Sequence, residues 1–270
     1  MEKNRIGIAG ASGRMGRMLL EATLQAKDLR LTAALEQTGN AAIGRDAAEL
    51  ANLPRSGVLV SDNLSAALAQ CDTWIDFTRP EGTLRHLAAA EAAGVAMVIG
   101  TTGFDAAGKA RIEEAAKRIP IVFAPNMAIG VNLVFRLLET AARALGQEFD
   151  VEIVEAHHRM KVDAPSGTAL RMGEIVAQTL ERDLSECALY GREGHTGVRN
   201  KSSIGFATVR GGDIVGDHTV MFCGLGERVE IAHKAGSRMP YALGSLAASR
   251  FLARQKHGLF DMQDVLGLRA

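Results

Sequence analysis

The chain has 270 residues, 47% of them hydrophobic and 23% charged, which fits a globular protein of one large or two medium domains. Lys plus Arg and Asp plus Glu balance at 31 each, so no net field gathers nucleic acid or an anionic membrane surface. No apolar run approaches the ~18 residues of a membrane span, the run from Ile6 to Ala11 is too short for a secretion signal, and three scattered cysteines exclude a complete disulfide framework; a cytoplasmic setting is expected.

Residues 5–9 read as a short buried strand. They lead into Gly10-Ala11-Ser12-Gly13-Arg14-Met15-Gly16. In such a turn one glycine makes the sharp exit from the strand, one lets a pyrophosphate approach the backbone, and one lets the next helix pack on the sheet. Met15, Leu19, Ala22 and Ala26 then recur at helical spacing. A second strand, Leu31 to Leu35, ends at Glu36, where an adenosine ribose would meet a carboxylate. By itself a glycine triplet says little, and an acid at a strand end is ordinarily just solvated; the order strand, glycine turn, helix, strand, acid points to a dinucleotide. A carboxylate there repels a 2′-phosphate, and Gln37 follows it rather than arginine. NADH is therefore expected to be favoured, with NADPH as a substitute.

The alternation continues. Strands are predicted over 57–60, 73–77, 95–99 and 120–123, with helices over 64–71, 81–93 and 105–118, the last capped by Asp105. This pattern implies a Rossmann-type doubly wound parallel sheet. Ligands of such sheets lie beyond the carboxyl ends of the strands. That rule adds Thr78, Gly100, Thr101 and Thr102, then Ala124, Pro125, Asn126 and Met127, to the rim formed by residues 10–15 and Glu36.

A long helix is predicted from Gly130 to Leu145, with Leu133, Leu137, Leu138 and Ala141 on one side and Gly146 ending it. A strand over 151–156 precedes a basic loop and a helix over 169–180. From Ser202 the chain reads as consecutive antiparallel strands, 203–210, 214–222 and 228–233, with Gly211-Gly212 turning between the first two. The second half is thus expected to be an α+β domain with an open mixed sheet. Residues 237–252 return to helix, and the tail is expected to rejoin the first domain. Residues 1–129 and 239–270 form one predicted domain, for the dinucleotide, and 130–238 the other, for substrate and oligomerisation.

The basic loop carries His157, His158, Arg159 and Lys161, and runs into Ser166-Gly167-Thr168 at a helix start. Basic residues in a loop are usually only solvated. Here they adjoin free backbone amides and the positive end of a helix dipole, which suit an anion. The reading is a pocket for a small, doubly anionic substrate with a proton donor beside it. Crowding by like charges is expected to lower the Lys161 pKa. No metal site is expected, because adjacent histidines at a strand end point apart.

The stretch Glu155-Ala-His-His-Arg-Met-Lys-Val-Asp-Ala-Pro-Ser-Gly-Thr-Ala169 closely resembles the signature of the dihydrodipicolinate reductases. The motifs at Gly10–Gly16, Asp76–Pro80, Gly100–Phe104 and Gly258–Met262 match that family as well, so the resemblance covers essentially the whole chain. It implies reduction of a cyclic unsaturated imine dicarboxylate, 4-hydroxy-tetrahydrodipicolinate, to tetrahydrodipicolinate in lysine and diaminopimelate biosynthesis. It also implies that His157 is the proton donor or acceptor, that Lys161 is a proton donor, and that His158, Gly167 and Thr168, with Ser166 beside them, bind substrate. A homotetramer held through the second domain is implied too. Many relatives carry arginine directly after the position of Glu36, where this chain has Gln37, which weighs against a strong NADPH preference. Two other readings are a related imine or aldehyde dehydrogenase and a catalytically silent dinucleotide sensor; the second leaves the His-His-Arg-Met-Lys cluster unexplained.

Overall fold

The computed structural model describes residues 3–269. It divides into two compact units, the first made of the residues up to Ile129 together with those from Arg238 on, the second of Gly130–Ser237. The first unit is built on β1 (Asn4–Ala9), β2 (Leu29–Leu35), β3 (Val60–Ser61), β4 (Thr73–Asp76), β5 (Ala96–Ile99) and β6 (Pro120–Phe123). They pair in parallel in the order β6-β5-β4-β1-β2-β3. Crossovers are made by α1 (Arg14–Gln25), α2 (Leu64–Leu68), α3 (Pro80–Ala93) and α4 (Ala106–Ala116). Both faces are covered, so the strands read as unbroken apolar runs. Ile6, Ile8, Ile75, Val98 and Val122 pack on one face with Leu19 and Leu20 of α1. Trp74, Met97, Ile99 and Ile121 pack on the other with Leu87 and Ile112.

Helix boundaries follow local chemistry. The Asp105 side chain caps α4 by accepting from the Gly108 amide at 2.7 Å. Pro80 opens α3, where its missing N–H costs nothing, and Gly94, at φ 69°, closes it. The strand predicted over 57–60 shrinks to Val60–Ser61, because Ser56 and Gly57 donate their amides to the Asp46 carboxylate instead of to a neighbouring strand.

The second unit holds α5 (Ile129–Leu145), β7 (Asp150–His157), α6 (Gly167–Thr179), α7 (Leu184–Cys187), β8 (Ala188–Tyr190), β9 (Ile204–Arg210), β10 (Gly216–Cys223) and β11 (Arg228–Ala235). Its sheet runs β11-β10-β7-β9-β8. This corrects the expectation of consecutive antiparallel strands. β10 and β11 do form a hairpin, but β7 lies between β9 and β10, parallel to one and antiparallel to the other. Gly211 and Gly212 therefore carry the chain past the end of β7, to which Gly211 bonds through the His157 carbonyl.

The inner face of α5 also differs from expectation. Val131, Val134, Phe135, Leu138 and Ala142 are buried, while Leu133 and Leu137 are each 44% exposed. This helix has apolar residues on more than one side, and periodicity alone cannot say which side meets a partner.

The chain then returns to the first unit through α8 (Met239–Leu252), β12 (Gly258–Phe260) and α9 (Met262–Val265). Ala242, Leu246 and Leu252 of α8 join the cluster around α1, and β12 adds a seventh parallel strand beside β6. Among the described residues no helix is long and apolar enough to cross a membrane.

Candidate active site

In the first unit the glycine turn is built for close approach. Gly10 adopts φ 65°, a conformation that costs glycine little, and a Cβ on Gly16 would stand 2.1 Å from the Gly10 carbonyl oxygen. No side chain caps α1, whose N-cap is Gly13, so its first-turn amides take no side-chain partner and suit an anion. Glu36 projects from the end of β2 onto this turn. One of its oxygens accepts from the Ser12 amide at 2.7 Å and from the Ser12 hydroxyl at 2.6 Å, and the other from the Asn40 amide group at 3.2 Å. A glycine cradle, an uncapped helix start and an acid at the next strand end fit the pyrophosphate and ribose of a dinucleotide.

The remaining rim residues fall at the ends of β5 and β6. Thr102 and Pro125 are exposed, whereas Thr101, Asn126, Ala124 and Met127 are buried. Asn126 turns its side-chain oxygen onto the Ala128 amide.

Thr101 is held by a buried network centred on Asp76, of which Thr83 and His86 were not singled out from the sequence. The Asp76 carboxylate, fully buried at the end of β4, accepts from the hydroxyls of Thr78 at 2.7 Å and Thr83 at 3.0 Å. With its one hydrogen given to Asp76, the Thr83 hydroxyl accepts from the Thr101 hydroxyl at 2.8 Å, and His86 Nδ1 lies 2.6 Å from the second Asp76 oxygen. Burial opposes ionisation of Asp76, but the bonds from His86 and Thr78 outweigh it and hold the carboxyl below its usual range. This network ties two loops of the rim together.

In the second unit, strand alternation and register assemble the site. Along β7 the buried positions are Val151, Ile153, Glu155 and His157, so acid and imidazole share one face with the core. Register then places Thr208 and His218 beside Glu155, and Arg210 beside His157. The Arg210 guanidinium grips Glu155 with two bonds of 2.8 Å, and the second Glu155 oxygen lies 2.6 Å from His157 Nδ1. Burial would push the Glu155 carboxyl up; Arg210, His157 and the Ser166 amide outweigh it and hold it at about 2. Burial also lowers the His157 pKa, against the pull of Glu155.

The loop after β7 is pinned at several points. Arg159 donates its amide to the Gly212 carbonyl, Lys161 donates its amide to His158, and Arg210 reaches the Asp163 carbonyl at 2.7 Å. The Lys161 ammonium is paired with Asp163 at 2.8 and 2.9 Å, a carboxylate partner that the expectation of crowding by like charges left out. The Ala164–Pro165 peptide is cis. Ser166 is the N-cap of α6 and accepts from the Ala169 amide, while its own amide donates to Glu155 at 3.1 Å. Its hydroxyl also lies 2.9 Å from His218 Nε2. Ser166 is thus buried beneath the site, and Gly167 is exposed at the helix start. Among the described residues no group of three or more His, Cys, Asp or Glu is arranged to hold a metal ion.

His218 is buried, its ring 5.0 Å from that of His157. Burial, and then the neighbouring His157, push its pKa down to about 4. The unfolded chain takes up this proton near 6.5 and the folded chain only near 4, so acid favours unfolding. The stability His218 contributes is complete above pH ~6.5 and is lost as pH falls towards 4, by about 3 kcal/mol in all. Urea-unfolding midpoints should therefore fall less steeply over this range in His218→Gln than in the parent. Equal slopes would contradict the assignment.

Comparison with known proteins follows the same division. Residues 4–127 match the family model described as dihydrodipicolinate reductase, N-terminus, and residues 130–266 that described as dihydrodipicolinate reductase, C-terminus. The chain is 69% identical over 269 residues, covering 100% of both chains, to a 4-hydroxy-tetrahydrodipicolinate reductase of Dechloromonas aromatica. It is 62% identical to a protein of that name from Cupriavidus necator, over 98% of this chain and 99% of the other. Among solved structures, a dipicolinate-bound dihydrodipicolinate reductase from Paenisporosarcina sp. TG-14 superposes with a TM-score of 0.77 at 26% identity, over 97% of this chain and 98% of that one. An amine dehydrogenase from Mycobacterium smegmatis, at 11% identity and TM-score 0.60 over 95% and 94% of the two chains, shares the fold alone.

Proposed function

The chain belongs to the dihydrodipicolinate reductase family, and from that premise we propose how its own residues carry out the reaction. It reduces 4-hydroxy-tetrahydrodipicolinate to tetrahydrodipicolinate, a step of lysine and diaminopimelate biosynthesis. When bound, NAD(P)H supplies the hydride. The overall change removes the 4-hydroxyl as water and adds one hydride and one proton. The protein must therefore hold a ring dicarboxylate and move protons to and from it.

His157 takes a ring proton as water leaves and returns one after the ring has gained its electron pair. Lys161 donates a proton from its ammonium to the departing 4-hydroxyl and is reprotonated from solvent. One substrate carboxylate meets the start of α6 at Gly167 and Thr168, with Ser166 holding that start in place, and the other lies by His158 and Lys161. The observation that carries this reading is the set of an imidazole bonded to Glu155, an ammonium on the adjoining loop and a helix start at its end. The test is a coupled assay with the synthase that makes the substrate, following loss of NADH absorbance. Steady loss is the expected result. Nucleotide binding without turnover would favour a silent sensor instead.

For the nucleotide, the proposed contacts are Gly10 to Met15 with the pyrophosphate, Glu36 with the ribose hydroxyls, and Gly100 to Thr102 and Ala124 to Met127 along the rim. A ribose carboxylate followed by Gln37 supports a preference for NADH over NADPH. Glu36→Ala is expected to raise the dissociation constant of NADH ~10-fold or more and that of NADPH far less, as read by fluorescence titration. Equal loss for both would rule out the ribose contact. Residues 1–129 and 239–270 are assigned to the dinucleotide, and 130–238 to substrate and to a homotetramer. Exposed Val209 and Val229 on the open five-stranded sheet are consistent with such an assembly. The balanced charge supports a reading with no role for nucleic acid or an anionic membrane surface, and the proposed setting is the cytoplasm.

A further inference from the structure

We propose that Glu155 and Arg210 are a positioning pair: Glu155 sets which nitrogen of His157 carries the proton, and Arg210 holds both Glu155 and the loop bearing Lys161. The inference deepens the proposed function and rests on it for the role of His157.

Glu155 is 1% exposed and surrounded by donors. One oxygen receives Arg210 Nη2 at 2.8 Å, the Ser166 amide at 3.1 Å and the Thr208 hydroxyl at 3.3 Å. The other receives Arg210 Nη1 at 2.8 Å and faces His157 Nδ1 at 2.6 Å. A carboxylate so placed is ionised, as its carboxyl pKa near 2 agrees, and an ionised carboxylate can only accept. The proton of a neutral His157 must then sit on Nδ1. That leaves Nε2 with a lone pair, free of any hydrogen bond among the described residues, as the nitrogen that exchanges protons with substrate. Room for that edge of the ring comes from Gly216, where a Cβ would stand 3.0 Å from Nε2.

Arg210 has a second task. The guanidinium nitrogen that bonds Glu155 also donates to the Asp163 carbonyl at 2.7 Å, and the Asp163 side chain holds the Lys161 ammonium. One planar fork thus fixes the imidazole, through Glu155, and the ammonium, through the loop. A lysine could match the charge but not both bonds. If Glu155 and Arg210 merely tied β7 to β9, the tautomer of His157 would not depend on them.

The test is long-range ¹H–¹⁵N spectroscopy of histidine-labelled full-length protein, with the His157 signals assigned by their loss in His157→Gln. The expected wild-type pattern is a protonated Nδ1 and an unprotonated Nε2 at neutral pH. In Glu155→Gln the proton should spread over both nitrogens, and kcat should fall on the order of 10²-fold with KM for substrate and NADH affinity within about 3-fold. Arg210→Lys should keep the tautomer, lower kcat and raise KM for substrate. A wild-type proton on Nε2, or a Glu155→Gln enzyme within twofold of wild-type kcat, would overturn the proposal. The wild-type spectrum decides the tautomer even if a variant fails to fold. The two readings fail separately: an active enzyme with the other tautomer defeats the positioning role alone, whereas the expected tautomer in a protein without turnover supports that geometry and defeats the proposed reaction.

Discussion

Replacing Lys161 with alanine should lower kcat by ~10²-fold or more and leave NADH affinity unchanged. The ammonium lies 2.8 and 2.9 Å from the two Asp163 oxygens. That pairing holds it in one place, as a proton donor needs. Its removal carries little penalty for the fold. The partner left behind, Asp163, has a side chain 57% exposed and is readily solvated. The loop keeps its backbone anchors at Gly212 and Arg210. A loss of 10² in rate corresponds to about 2.7 kcal/mol of barrier, more than the loss of one exposed ion pair supplies. Steady-state kinetics beside a fluorescence titration with NADH separates the two quantities. Unchanged turnover would remove Lys161 from the chemistry.

Gly16→Ala should weaken NADH binding on the order of 10²-fold and destabilise the first unit by about 1–3 kcal/mol. The added methyl would meet the Gly10 oxygen at 2.1 Å and the carbonyl carbon and oxygen of Ala11 at 2.7 Å. All three atoms are backbone, so no side chain can swing aside. Either α1 lifts from the sheet or the turn deforms. Leu19 and Leu20 hold α1 in a packed core, so lifting it separates apolar contacts. Deforming the turn displaces the amides that would receive the pyrophosphate. Titration with NADH and thermal unfolding measure the two effects. An alanine enzyme with undiminished affinity would show that this turn does not hold the nucleotide.

Local signals were legible in the sequence and long-range ones were not. The glycine turn, Glu36, the cap at Asp105 and the loop from His157 to Thr168 each lie within a few residues of chain, and each emerges as a local structure of the expected kind. Arg210 and His218 escape such a reading because only strand register brings them to Glu155, from more than 50 residues away. Their one sequence signal is a charged or titratable residue at an inward position of an alternating strand. His86 was hidden similarly, one of several polar residues on α3 until Asp76 faces it. β8 and β12 have three residues each, too few to show a period. The paired glycines at 211 and 212 suggested a hairpin, but a turn signal reports a change of direction and not which strand lies alongside.

The last strand of the first sheet, β12, comes from residues 258–260, and the α8 helix packed on α1 ends only at Leu252. During synthesis the opening 129 residues therefore leave the ribosome without the pieces that flank β6 and cover one side of α1. The second unit is a single uninterrupted stretch and can close first. A chain truncated before residue 239 would yield a first unit with β6 turned into an edge strand and an uncovered helix, a ready substrate for chaperones and proteases.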